Sequence, residues 1–174
     1  MLDGGAVAVP VVPTRGWRRE LALQAGLAAA YFAAGKLALL LAVVHVSVTA
    51  VWPPTGIALA AVLVYGTRVW PALLLGAFMV NVTTAGGLLP SLGIAAGNTL
   101  EALAGGLLVE RFARGQAAFE RPADILRFAL LGGLAAPAVS ATIGVASLRL
   151  GGLTRGAPAA GMWLTWWLGD AGGA

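Results

Sequence analysis

The sequence predicts an all-α integral membrane protein, a polytopic bundle of about six transmembrane helices with its N-terminus in the cytoplasm. Of the 174 residues, 59% are hydrophobic and 10% are charged. Soluble domains usually carry about 25% charged residues, because their surface faces water. The 25 glycines suit helices that pack closely in lipid.

Six apolar stretches form the predicted bundle, since a helix needs about 20 residues to cross the hydrocarbon core. We place them at about 21–44, 46–65, 70–83, 91–109 and 125–148, with a sixth from about Ala159. Residues 1–20 are expected to form a cytoplasmic tail, and residues 21–174 a transmembrane domain that is incomplete at its C-terminus.

The basic residues orient this bundle. The predicted outer loops hold two arginines, Arg149 and Arg155. The inner loops hold eight of the eleven basic residues: Arg15, Arg18, Arg19, Arg68, Arg111, Arg114, Arg121 and Arg127. This excess predicts a multi-pass protein of a bacterial inner membrane with its N-terminus inside. Four tryptophans are expected near the membrane interfaces: Trp17, Trp52, Trp70 and Trp163.

Composition and motifs argue against an enzyme, a cofactor, a metal centre or a nucleic-acid partner. The sequence contains no cysteine and one histidine, His45, at a span boundary, so ligands for a metal centre or a histidine relay are missing. No phosphate-binding glycine motif occurs. The arginines lie at helix ends rather than along one face, which is unlike a nucleic-acid surface.

Ionisable residues inside the spans are the first candidates for a site, because an unpaired charge in lipid is costly. By helix rise, Lys36, Glu101 and Asp170 all lie between the midplane and the outer third of the membrane. We expect Lys36 and Glu101 to pair, with Asp170 as a second acceptor. The alternative for Lys36 is an ammonium that reaches the outer surface.

The Trp52–Gly56 segment interrupts the second span at a similar depth. Tandem prolines end one apolar run and suit the first turn of a new helix. The N–H groups behind Thr55 are then expected to face a cavity that attracts an anion or a polar ligand. The full candidate set for ligand binding is Lys36, Trp52, Pro54, Thr55, Asn81, Asn98, Glu101 and Asp170. Interhelical hydrogen bonds are the alternative role for the two asparagines.

Two stripes of small residues indicate close helix packing. Their members are Gly93, Gly97, Glu101 and Gly105 in the fourth span, and Gly132, Ala136, Ser140 and Gly144 in the fifth. Packing within the chain is the favoured interpretation, and a homodimer is the alternative. Pro137 is expected to kink the fifth span.

Several motifs then point to a family. They are Trp52-Pro53-Pro54-Thr55-Gly56, Arg68-Val69-Trp70-Pro71, Gly97-Asn98-Thr99-Leu100-Glu101 and Trp166-Trp167-Leu168-Gly169-Asp170. Over about residues 21–171 the chain resembles the first membrane-associated sensor (MASE) domain family. The resemblance implies a sensory input domain of about eight helices, joined to a histidine kinase or a cyclic-di-GMP output domain that is not part of this sequence.

Two kinds of cue fit this resemblance, a small polar ligand and a membrane partner protein. The competing interpretation is a stand-alone ligand-binding protein in the membrane, such as the substrate-capture subunit of a transporter. Six helices and this length suit that class as well.

Overall fold

The computed structural model describes residues 15–40, 42–45, 48–49, 51–84, 87–154 and 156–174. The helices are α1 (Arg15–Leu39), α2 (Pro53–Tyr65), α3 (Trp70–Val82), α4 (Leu88–Phe112), α5 (Pro122–Phe128), α6 (Pro137–Leu150) and α7 (Ala159–Gly173). Short 3₁₀ turns at Thr67–Val69 and Gly115–Ala117 join neighbouring helices.

Three helical stretches are long and apolar enough to cross a membrane: Gly16–Leu39, Leu88–Phe112 and Pro122–Leu150. Two further apolar helices, Pro53–Tyr65 and Thr67–Val82, are shorter. This arrangement confirms the predicted polytopic helical membrane fold. Helix α1 begins at Arg15, inside the segment that is expected to form the tail, and the division between tail and transmembrane domain stays a prediction.

A small antiparallel ladder between α1 and α2 was not predicted. Strand β1 (Ala42–His45) pairs with β2 (Val48–Thr49), with Ala42 opposite Thr49. The first span was expected to stay helical to residue 44, but α1 ends at Leu39. The valine-rich run that follows favours extended backbone, because branched side chains lose freedom in a helix. The ladder contacts α7, so this non-helical backbone is packed against protein.

The small-residue stripes serve packing inside the chain, because α4 lies directly against α6. A Cβ added at Gly97 would lie 3.1 Å from Ile143 Cβ, and one at Gly105 would lie 3.1 Å from Ala136 Cβ. At that spacing there is little room for any side chain at these two glycines. This agrees with the favoured interpretation of the stripes.

The fifth span is continuous from Pro122 to Leu150 but changes its winding in the middle. A π-helical segment, Ala129–Ala135, precedes Pro137, and the Ala136 N–H donates to the Leu131 carbonyl 3.0 Å away. A wider turn before a proline is a known way to accommodate its missing N–H, so the expected irregularity at Pro137 takes this form. The Trp167 indole donates to the Leu134 carbonyl at 2.8 Å, which ties the segment to α7.

Candidate functional site: a buried polar cluster

Polar side chains from five helices meet in the interior of the bundle. We call this group the polar cluster. Its members are Tyr31 of α1, Thr55 of α2, Asn98 and Glu101 of α4, Ser140 of α6, and Trp166 and Asp170 of α7. Each of them is at most 6% exposed. Buried polar groups at this density must satisfy one another, because neither lipid nor bulk water reaches them.

Helix periodicity explains how each helix supplies its members. Asn98 and Glu101 are three residues apart on α4, and Trp166 and Asp170 are four apart on α7, so each pair shares one helix face. Thr55 lies in the first turn of α2, directly after Pro53 and Pro54. The prolines therefore set the depth at which α2 begins and at which Thr55 faces the interior.

Two carboxyl groups, which we call the carboxyl pair, converge on one hydroxyl. Thr55 Oγ1 lies 3.5 Å from Glu101 Oε1 and 3.2 Å from Asp170 Oδ1. The carboxyls of Glu101 and Asp170 are also within hydrogen-bonding reach of each other. None of the ion pairs found among the described residues involves either carboxyl. The pair therefore relies on neutral donors for compensation.

Ser140 is the hub of the remaining hydrogen bonds. Its Oγ lies 2.8 Å from Asp170 Oδ2 and 2.8 Å from Asn98 Oδ1, and it accepts a bond from Trp166 Nε1 at 2.9 Å. Asn98 Nδ2 donates to the Tyr31 hydroxyl at 3.0 Å. The cluster is thus one connected network from α1 to α7.

The backbones of α2 and α7 touch beside the carboxyl pair. The Trp52 N–H donates to the Gly169 carbonyl at 2.9 Å. A Cβ added at Gly56 would overlap the Gly173 carbonyl oxygen, and one added at Gly173 would overlap the Trp52 carbonyl oxygen. Glycine at both positions therefore permits the approach that brings Thr55 to Asp170.

A cavity of about 10 Å³ adjoins the cluster, lined by Thr49, Trp52, Asn81, Ile94, Asn98, Trp166 and Asp170. Two buried polar atoms at its wall, Thr49 Oγ1 and Trp52 Nε1, have no hydrogen-bond partner. The Trp52 indole lies near the Tyr31 hydroxyl but does not form a hydrogen bond with it. A volume of this size is close to the room that one water molecule needs.

The structure brings most of the predicted site residues together. Thr55, Asn98, Glu101 and Asp170 belong to the cluster, while Trp52 and Asn81 line the cavity. Pro54 is fully buried in the first turn of α2. Trp52 was expected near a membrane interface, but it is 8% exposed, whereas Trp17 and Trp70 are 55% and 48% exposed.

The predicted pair of Lys36 and Glu101 is not formed. Lys36 Nζ donates instead to Thr84 Oγ1 at 2.9 Å and to the Thr83 carbonyl at 3.3 Å. Lys36 lies in the last turn of α1, where it reaches the carbonyl end of α3, a favourable position for a cation. Glu101 faces Asp170 and Thr55 instead.

The expectation that the start of α2 attracts an anion or a polar ligand stays a prediction. The first turn of α2 places Thr55 against two carboxyl groups, so the chain itself supplies the negative charge that a helix N-terminus favours. A further anion beside this pair would be repelled.

Three cluster members were not among the predicted site residues: Tyr31, Ser140 and Trp166. Ser140 was assigned to a packing stripe, and Trp166 was named only within a motif that carries the family resemblance. Their common signal is position, because Ser140 and Trp166 lie at mid-span on the faces that carry the small-residue stripe and Asp170. Tyr31 gives little signal, since a tyrosine in an apolar helix is as often an ordinary packing residue.

The fold and the cluster define a class, a helical membrane domain built around a buried pair of carboxyl groups. The family model that matches the chain is that of MASE1, a membrane-associated sensor domain, and it covers residues 21–174. The chain therefore belongs to the MASE1 family, whose members are membrane sensory domains often linked to signalling output domains, and the predicted resemblance is confirmed. No curated protein and no solved structure matches the chain significantly.

Proposed function

We propose that this chain is a multi-pass sensory input domain of a bacterial inner membrane, and that the polar cluster is the part that responds to the cue. The single observation that carries the proposal is the carboxyl pair, held in the bundle interior by donors from separate helices. Ionisable groups at such a depth are rare and usually functional.

The cluster is suited to switching because it links five helices. Any event that changes the charge or hydrogen bonding of Glu101 or Asp170 alters the contacts of α2, α4, α6 and α7 together. A cue shifts the balance of two packings by as much as it binds them differently. Packed interiors favour discrete rearrangements over gradual deformation, so the output domain would receive a defined change.

The small cavity bears on the kind of cue. A volume of about 10 Å³ holds one water molecule and no organic ligand. A polar ligand or a membrane partner protein would therefore act by favouring a different helix packing. This cavity is too small to be the preformed pocket that a substrate-capture subunit needs.

The output domain is proposed to be a histidine kinase or a cyclic-di-GMP enzyme, because members of the family are often linked to signalling output domains. The test uses the receptor that contains this chain, in native membranes, with phosphotransfer or cyclic-di-GMP turnover as the readout. Glu101→Gln should lock or strongly bias the output because it removes one charge from the cluster.

Glu110→Gln is the matched control, since Glu110 is on the same helix but exposed. Lys36→Gln is a second control, because Lys36 bonds Thr83 and Thr84 after the end of α3 and not the cluster. An output from Glu101→Gln that equals the output of both controls, at equal membrane levels, would remove the cluster from signalling.

A further inference from the structure

The cavity beside Asp170 has two features that the sensory role does not explain. Its wall carries an indole N–H and a hydroxyl, from Trp52 and Thr49, that have no partner although each residue is more than nine-tenths buried. A buried polar group without a hydrogen-bond partner destabilises the fold. A water with two to four polar neighbours is the usual solution in a space of this size.

The carboxyl pair has too few donors for two full charges. Three of the four carboxyl oxygens lie within hydrogen-bonding distance of a hydroxyl, that of Thr55 or that of Ser140, and each hydroxyl has one hydrogen to give. The Ser140 hydroxyl also lies 2.8 Å from Asn98 Oδ1, which competes for that hydrogen. Two carboxyls in contact are best stabilised when they share one proton.

We propose that the pair of Glu101 and Asp170 is a binding site for one proton, reached through a water in the cavity lined by Thr49 and Trp52. This rests on the proposed sensory function and names its cue class as the proton. A hydronium on the ladder side gives its proton to the cavity water, which passes one on to the carboxylate of the pair. In each of the two transfers one O–H bond breaks and one forms, so the hydronium becomes water and the cavity water is regenerated.

The surroundings of the pair contain few other titratable groups. From α1, the phenol of Tyr31 faces the carboxyl pair through Asn98. Helices α2 and α6 contribute hydroxyls. Helix α3 contributes the Asn81 amide, which lines the cavity. Lys36 is directed to Thr83 and Thr84. His45 is the single histidine, and its side chain lies outside the described residues. Because a histidine titrates near neutrality, the test is made in a His45→Gln background.

Infrared difference spectroscopy of the full chain in lipid nanodiscs tests the proton. At neutral pH we expect the carbonyl band of a protonated, buried carboxyl, which is lost on alkaline titration. Each of Glu101→Gln and Asp170→Asn should shift or abolish the band, and the double variant should lack it. Glu110→Gln should leave it in place. Persistence of the band in the double variant, or its absence from the parent, overturns the proposal.

Sodium is the competing cation. Addition of sodium chloride at constant pH should leave the band unchanged, and its loss in sodium but not in an equal concentration of choline chloride would assign the pair to sodium instead.

Trp52→Phe tests the water route, because it removes the indole donor. Hydrogen–deuterium exchange of the band should then slow several-fold, and an unchanged rate would overturn the route through the cavity.

These outcomes are separable from the sensory role, because no output domain takes part in them. If the carboxyl band is present but Glu101→Gln leaves the output of the receptor unchanged, the sensory proposal alone is contradicted. A responsive receptor without the carboxyl band would sink the proton site alone.

Discussion

Ser140 is the residue through which the two halves of the cluster communicate. It contacts Asn98 on α4 and Asp170 and Trp166 on α7, with all three distances between 2.8 and 2.9 Å. A serine hydroxyl donates once and accepts twice, so it accepts the indole N–H while its one hydrogen goes either to the carboxyl or to the amide oxygen. No apolar side chain of similar volume could do so.

Ser140→Ala should therefore destabilise the fold by about 1–2 kcal/mol, because it leaves the Trp166 indole and an Asn98 oxygen unsatisfied in the interior. Reversible unfolding in mixed detergent micelles measures this. Ser147→Ala is the control on the same helix, since that hydroxyl donates to the Ile143 carbonyl of its own helix. Equal losses for the two variants would mean that Ser140 is not a hub.

Single residues also show what sequence can predict about the site. Glu101 and Asp170 were predictable because a carboxyl within an apolar span stands out by its cost. Their mutual partnership was not, because it depends on which faces of α4 and α7 meet. Lys36 shows the limit of prediction from sequence. Its expected depth in the membrane matched that of Glu101, but its side chain is directed to the end of α3.

At the scale of elements, α2 and α7 depend on each other for position. Helix α2 starts at Pro53 within the bundle, and its first turn lies against the last turn of α7. Backbone contact at Gly56 and Gly173 leaves no space for a side chain. The distance from Thr55 to Asp170 is a consequence of that contact.

Gly56→Ala should push the two helices apart and cost about 1–3 kcal/mol, because neither backbone can give way cheaply. Gly26→Ala in α1 is the matched control, since nothing lies within 4 Å of an added Cβ there. Alanine favours a helix over glycine, so the control should be neutral or slightly stabilising. Thermal unfolding in detergent gives both values. A neutral Gly56→Ala would contradict the close contact of α2 with α7.

The helices themselves were largely predictable, because hydrophobic length and glycine or proline punctuation locate them. The ladder of β1 and β2 was not predictable in the same way. Its valine-rich sequence is as hydrophobic as a span, and contacts with α7 and α1 make extended backbone acceptable at this position. Length counting alone therefore extended the first helix beyond Leu39.

At the scale of the whole molecule, the MASE1 domain combines tight apolar packing with one buried polar centre. The glycine stripes bring α4 and α6 together, and the cluster joins that pair to α1, α2 and α7. Apolar packing in lipid gives little preference among alternative arrangements, whereas a polar network has a few discrete ways to be satisfied. The network is thus the natural place for a switch.

The central claim is that Glu101 and Asp170, from two different helices, act as one unit in sensing. A double-mutant cycle in the receptor tests it most directly, with output activity measured for Glu101→Gln, Asp170→Asn and both together at matched membrane levels. We predict strongly non-additive effects, with the double variant close to either single variant. Effects that multiply as for independent sites, or the absence of any effect, would contradict the account.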